Sequence, residues 1–265
     1  MNQTYAFAPI DPAVEQARLQ QIEAIFDRKT HQWLQQAGLA AGQMVLELGP
    51  GAGSIAQWLA QQVGAQGRVV AIDRDPTHWQ AVTAPNLEKI IGDLHQWNYP
   101  AATFDLIHAR YVLIHLPQAE QILQRLYQTL KPGGAIVLEE PDFSLSRWVQ
   151  GSASAQAAHD RTNAAIAAMF RQKDLEPDWG LHLPARLVNA GFELTSHAVS
   201  THLDRGGSAI AQLMAQSAQV LAAQYVATGE VTPEQVQGYC ETAQDPAVWA
   251  IYYTTVRAIA RRSLP

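Results

Sequence analysis

The chain of 265 residues holds one cysteine, Cys240, which excludes an intramolecular disulfide framework and any cysteine-based zinc cluster. No stretch reaches the roughly eighteen consecutive apolar residues that a membrane helix needs, so no membrane partner is expected. Basic runs are also missing beyond Arg261-Arg262. Eighteen basic against twenty-four acidic side chains leave a formal charge of −6, which argues against nucleic acid as a partner. Charged residues make up only 16% and hydrophobic ones 48%, so the composition is that of a chain that buries a core. The opening MNQTYAFAPIDPAVEQ lacks the charged-then-apolar layout of a signal peptide, and a cytoplasmic protein is the expectation. There is no internal repeat and no low-complexity tract.

What is present is an alternation. A helical pattern runs from about residue 12 to 38, with Leu19, Ile22, Ile25 and Phe26 at spacings of three and four. Short Val/Ile/Leu-rich runs then alternate with helical stretches. In order they are MVLEL, a helix through Trp58 to Val63, RVVAID, a helix near 76 to 83, LEKIIGD, FDLIHAR, a helix from Gln118 to Leu130, and GAIVLEE. Runs without clean polar alternation are how strands buried on both faces read, and strand-helix alternation specifies a parallel sheet. After Pro141 the rhythm changes to an Ala-rich helix carrying Ile166, Met169 and Phe170. A strand-like GFELTSHAVSTHL comes next, then one long helix through Ile210, Met214, Leu221 and Tyr225, a shorter helix from Thr232-Pro233, and a last strand in WAIYYTTVRAIARR. The pattern predicts seven strands.

The turn after the first strand, LELGPGAGSIA, carries glycines at 49, 51 and 53. In an open parallel sheet, ligands bind beyond the carboxyl ends of the strands where the strand order reverses. Glycine there permits φ > 0 and close backbone approach. A tight turn without a ligand is one reading. A dinucleotide site is another, although G-x-G-x-G leaves Ser54 where the G-x-G-x-x-G fingerprint has glycine or alanine.

The third reading comes from Glu47-x-Gly49-x-Gly51-x-Gly53 together with four stretches further along the chain: VVAIDRDP, IIGDLHQW, FDLIHARYVLIHLP and LYQTLKPGGAIVLEEPDF. These five stretches, over residues 40 to 143, resemble in order the motifs of the class I S-adenosylmethionine-dependent methyltransferases. Within that family the likeness is to the small-molecule and natural-product branch of the UbiE or type 11 kind. The resemblance implies a Rossmann-like α/β fold: a seven-stranded, mostly parallel sheet with helices on both faces, an antiparallel last strand and helical lid insertions. It also implies S-adenosylmethionine as cofactor and S-adenosylhomocysteine as product. Asp73 would take the ribose hydroxyls, with Arg74 beside it in the cofactor set. Asp93 would take the adenine amino group with Leu94 against the ring, and Glu47 the ammonium end. Arg110, in a stretch that resembles the branch's R-x-x-L-x-H-L, would take the methionine carboxylate, with Arg18 as another candidate. Asp73 and Asp93 could equally serve as caps.

The domain reading places a helical cover at 1–38, the cofactor-binding core at 39–143 and a helical lid at 144–190. The last two strands fill 191–265, with inserted helices at 204–245. Such a lid suits a small molecule and excludes water. His115, at the mouth of the expected cleft, and one of Glu139 and Glu140 are the candidate catalytic groups, with Glu140 preferred; alternation forbids both glutamates from facing one side. Their spacing does not make a metal set, and no metal is expected. His182 and Trp148 could line the pocket. The expected reaction is methyl transfer to a small molecule, at oxygen ahead of nitrogen or carbon. A homodimer is compatible with this. The alternatives are a tRNA methyltransferase, a non-catalytic cofactor-binding protein of the same fold and, more distantly, a dehydrogenase.

Overall fold

The computed structural model describes residues 11–264. Five strands pair in parallel: β1 (Met44–Leu48), β2 (Arg68–Asp73), β3 (Leu87–Ile91), β4 (Phe104–Arg110) and β5 (Leu130–Asp142), in the order β3-β2-β1-β4-β5. Two later strands widen the sheet. They are β7 (Glu193–Arg205) and β8 (Trp249–Arg261), and β8 runs antiparallel between β5 and β7. The strand order reverses between β1 and β4, so the crevice beyond Leu48 and Arg110 is the switch point of the sheet.

Alternation along the strands sends apolar side chains to both faces. Val45, Val69, Leu106 and Val137 meet α1 (Pro12–Gln36) and α2 (Ser54–Val63) through Trp33, Leu34, Ile55, Leu59 and Val63. Leu46, Leu48, Ile72, Ile107 and Leu138 meet the opposite layer, which includes α3 (Ala119–Thr129), α4 (Ala153–Arg171) and α5 (Trp179–Asn189). Beyond them α6 (Ala209–Val220), α7 (Ala222–Ala227) and α8 (Pro233–Thr242) complete a helical cap, α8 opening on a capping box between Thr232 and Gln235. Among the described residues no helix is long and apolar enough to cross a membrane.

Three expectations change. An eighth strand, β6 (Arg147–Gln150), lies in the segment read as purely helical. Asp142 Oδ1 accepts from the Ser144 and Leu145 amides, turning the chain after β5, and Arg147 then pairs with Ile251, because β8 outreaches β5. The helix expected near 76–83 is a set of turns. The Val82 amide donates to the Trp79 carbonyl at 3.0 Å, a turn bond, and Lys89 Nζ donates to the Trp79 and Gln80 carbonyls at 2.9 Å each. The long helix through Tyr225 breaks at Leu221 into α6 and α7.

Helix α1 runs from the switch-point end along one face of the sheet. Gln16 reaches His78, Glu23 accepts from the Ser54 amide, Asp27 pairs with Arg110, Thr30 donates to Glu139 and Gln36 reaches Ser196. Gln21 donates to the Ala209 carbonyl at 3.2 Å and so ties α1 to the cap.

Leu123 on α3 is fully buried in the larger core. Leu123→Ala is expected to lower the unfolding free energy by about 2–5 kcal/mol in a urea titration; an unchanged midpoint would contradict this packing.

Candidate active site

The turn after β1 is built from left-handed backbone: φ is +60° at Gly49, +63° at Gly51 and +97° at Gly53. Two of these glycines are also required by packing. A Cβ on Gly49 would lie 2.5 Å from Val112 Cγ2, and one on Gly53 would lie 2.6 Å from Val82 Cγ2. Gly51 differs. Its nearest neighbour would be Leu19 Cδ2 on α1 at 3.7 Å, ordinary contact, so the protein itself leaves room beside this peptide. A cradle that a side chain would narrow, at the switch point, is what close approach of a ligand to bare backbone needs.

The acids sit at successive strand ends. Asp73 closes β2, and its Oδ1 accepts from the Asp75 amide at 2.9 Å. Burial pushes its carboxyl above the ordinary value, against the Asp75 and Arg74 amides that pull it down. Asp93 follows β3. Arg74 Nη2 donates to its Oδ2 at 2.6 Å and the His95 amide to its Oδ1 at 2.9 Å. Its burial is outweighed by these donors, which hold it below the usual carboxylate range. Leu94 is buried beside it. Glu47, Gly49–Gly53, Asp73, Arg74, Asp93 and Leu94 are thus grouped at the ends of β1 to β3.

Glu47 and Arg110 have further partners that sequence reasoning missed. On the α1 face, Glu47 Oε2 lies 2.7 Å from His108 Nδ1, and His108 Nε2 lies 3.5 Å from Glu139 Oε1. Glu139 also accepts from Thr30 Oγ1 and from Arg257 Nε, each at 2.5 Å. Arg110 donates to Thr30 Oγ1 and to Asp27 Oδ1, both at 2.9 Å. Arg110 is therefore committed to α1, where the sequence pattern had placed it toward the methionine carboxylate. Burial alone would push the His108 ring down, but Glu47 and Glu139 outweigh it and raise it to about 9. Burial likewise works against ionisation of Glu139, yet His108, Arg257 and Arg110 bring it to about 2. The available signal was polar residues inside apolar strands, His108 in DLIHA and Arg257 in TTVRAIA.

The loop after β4 carries the catalytic candidates. Tyr111 has φ +59°, a strained value for a bulky residue, and its hydroxyl lies 2.7 Å from Thr255 Oγ1. A 3-10 turn at Leu113–His115 comes next. Glu140 is corrected from a catalytic to a supporting role. Its carboxylate is wholly buried and accepts from the amides of Val112, Leu113 and Ile114, which orders the loop that presents His115. Burial pushes Glu140 up to about 8, although these amides oppose the shift. The His115 ring stacks near Phe170, with centroids 6.0 Å apart, and burial, aided by Arg18 and Lys173, pushes it down to about 3. Arg18 itself pairs with Glu15. His182 and Trp148 do not reach the cleft. His182 lines an outer groove with Glu120 and Arg186, and Trp148 sits on β6 against His159. Among the described residues no group of three or more His, Cys, Asp or Glu is placed to hold a metal ion.

A family model described as a methyltransferase domain matches residues 17–196, more than half of the chain. Methyltransferase str3 of Strobilurus tenacellus is 29% identical over 141 residues, 52% of this chain and 49% of that protein. Methyltransferase str2 of the same organism is 27% identical over 241 residues, 84% of this chain and 85% of its own length. The chain thus spans about half of the first relative and most of the second. Among solved structures, the [4+2]-cyclase SpnF superposes with a TM-score of 0.58 at 16% identity, covering 90% of this chain and 82% of that one. The chain belongs to the methyltransferase-domain family, of the class I S-adenosylmethionine-dependent kind. The open peptide at Gly51 and the acids closing β2 and β3 fit that cofactor, which carries no phosphate for the turn to bind.

Two glycines separate strain from cofactor contact. Gly51 and Gly64 share a left-handed φ, +63° and +65°, but Gly64 lies at the far end of α2 in open space. Gly51→Val is expected to abolish binding of S-adenosylhomocysteine in calorimetry. Gly64→Ala, at φ +65° and ψ −170° where the backbone is essentially restricted to glycine, carries an expected strain of about 1–3 kcal/mol and should leave binding intact. Equal effects at both sites would remove Gly51 from the cofactor surface.

Proposed function

We propose that this chain methylates a small-molecule acceptor, at oxygen ahead of nitrogen or carbon. The observation that carries the reading is the open backbone at Gly51, set at the switch point of the sheet where Asp73 ends β2 and Asp93 follows β3, with Leu19 of α1 the nearest side chain. When bound, S-adenosylmethionine supplies a methyl group on an electrophilic sulfonium. Asp73 would accept from both ribose hydroxyls, since a carboxylate offers two oxygens to adjacent donors. Asp93 and Leu94 would frame the adenine, with Arg74 holding Asp93 in place, and Glu47 lies just behind the glycine turn.

Displacement at a methyl group depends on alignment and on exclusion of water. The cover of α1, α4, α6, α7 and α8 suits both tasks. A hydroxyl acceptor must also lose its proton. His115 is neutral at working pH because its ring is held near 3, so it can accept that proton. The same depression makes it a weak base and limits its contribution.

A second reading, a cofactor-binding protein that does not methylate, draws on SpnF, a cyclase sharing this fold. Labelled methyl donor offered with pools of small molecules separates the two: binding without turnover favours the second. The charge of −6 counts against tRNA as acceptor.

Calorimetry with S-adenosylhomocysteine tests the cofactor site, and absence of binding at millimolar ligand would end the proposal. Asp73→Ala is expected to weaken that binding by about 1–3 kcal/mol. His115→Asn should lower kcat by about 10²-fold, the low end for a general base, with cofactor affinity unchanged; a variant as fast as the wild type would remove His115 from this role.

A further inference from the structure

The sheet face under α1 holds a chain of charge that methyl transfer does not itself require. Its centre is His108. The register of β1 on β4 sets Glu47 opposite His108, and that of β4 on β5 sets Arg110 opposite Glu139, all on one face. Both ring nitrogens of His108 face carboxylate oxygens, Glu47 at 2.7 Å and Glu139 at 3.5 Å, and the ring is fully buried. A neutral imidazole has one nitrogen with a lone pair; burial pushes the Glu47 carboxyl up, and where Glu47 is nonetheless ionised beside Glu139, the imidazolium is the form that donates to both. The charges around it then balance: Glu47, Glu139 and Asp27 against His108, Arg110 and Arg257.

The groups that face or influence His108 are Glu47 on β1, Glu139 on β5, Arg257 on β8, Arg110 on its own strand, and Asp27 and His31 on α1. Two links carry its position outward. Glu47 stands two residues before Gly49, so the imidazolium fixes the strand end from which the glycine turn springs. In the other direction Glu139 accepts from Thr30, and Arg110 joins Thr30 to Asp27, which anchors the part of α1 beyond Leu19, the side chain that a Cβ at Gly51 would meet first.

We propose that His108 is a positioning residue for the cofactor turn, a buried imidazolium that couples the Glu47 end of β1 to the closure of α1 over Gly51. This rests on the cofactor reading above. The imidazolium contacts neither cofactor nor acceptor; it sets the relative placement of the two walls that do. Without it, Glu47 and Glu139 would be like charges on one dry face, and each would relax away from the other.

The raised value gives the pH dependence its sign. The folded protein holds the proton up to about pH 9, against 6.5 for an unperturbed imidazole, so the bridge's contribution to stability is complete below 6.5 and is lost as pH rises through 9. Cofactor affinity should fall only as pH rises through about 9.

The test is calorimetry with S-adenosylhomocysteine from pH 6 to 10 on the full chain and on His108→Gln, with thermal unfolding to establish folding. The variant amide can donate to one carboxylate but carries no charge. The expected result at pH 7 is about tenfold weaker binding by the variant, the scale of a hydrogen bond to a charged group. The wild-type affinity should also drop above pH 9 more steeply than the variant's. Equal affinities with parallel pH profiles would overturn the proposal. Should the variant fail to fold, nitrogen-15 NMR of the wild-type His108 ring at pH 7 decides: two protonated nitrogens support the proposal and one overturns it. A wild type that binds no S-adenosylhomocysteine at any pH defeats the cofactor reading instead, and the two failures are told apart.

Discussion

Charged side chains set into a dry sheet face must be paired, and that requirement holds the top of this molecule together. Glu47, His108, Glu139, Arg110 and Arg257 project from β1, β4, β5 and β8 on the face that Val45, Leu106 and Val137 otherwise make apolar. Stripping one partner from such a set leaves an uncompensated buried charge, a loss of about 3–5 kcal/mol. The two side chains on α1, Asp27 and Thr30, complete the pairing, so the helix is placed by polar demand as well as by Phe26, Trp33 and Leu34. A purely apolar interface would tolerate sliding; a register of hydrogen bonds does not.

The same logic organises the other face of β5. Adjacent residues on a strand point apart, so Glu139 and Glu140 serve opposite sides. Glu139 joins the network under α1. Glu140 gathers three successive amides of the loop after β4, forcing that loop to the tight course that includes the left-handed Tyr111. Asp142 repeats the device one turn on, accepting from Ser144, Leu145 and Leu181 and so fixing the entry to β6 and α5. At the end of β5, Glu140 and Asp142 thus spend their carboxyl groups on ordering loops.

Family membership and fold constrain the chemistry unequally. The methyltransferase-domain match gives the family, while a cyclase on a similar architecture illustrates that a fold does not fix a reaction. Near α1 and the Tyr111–His115 loop, aromatic rings of Phe26, Tyr111, Phe143, Phe170, His202 and Tyr253 meet edge-on or tilted.

Much of this was legible in the order of residues alone. Hydrophobic runs of strand length, separated by helical periods, read as a parallel sheet buried on both faces, and glycines at 49, 51 and 53 directly behind a strand permit the positive φ that the turn uses. Those properties are local, so the sequence determined them without help. It could not say that the residues after Pro76 settle into turns, whose carbonyls at Trp79 and Gln80 are met by Lys89 from β3. Nor could it assign Arg110 to Asp27 or Glu140 to the amides at 112–114, since several partners of equal chemistry were within reach of each. Pairing among charges is decided by distance and desolvation in the folded state, and only tertiary structure supplies those.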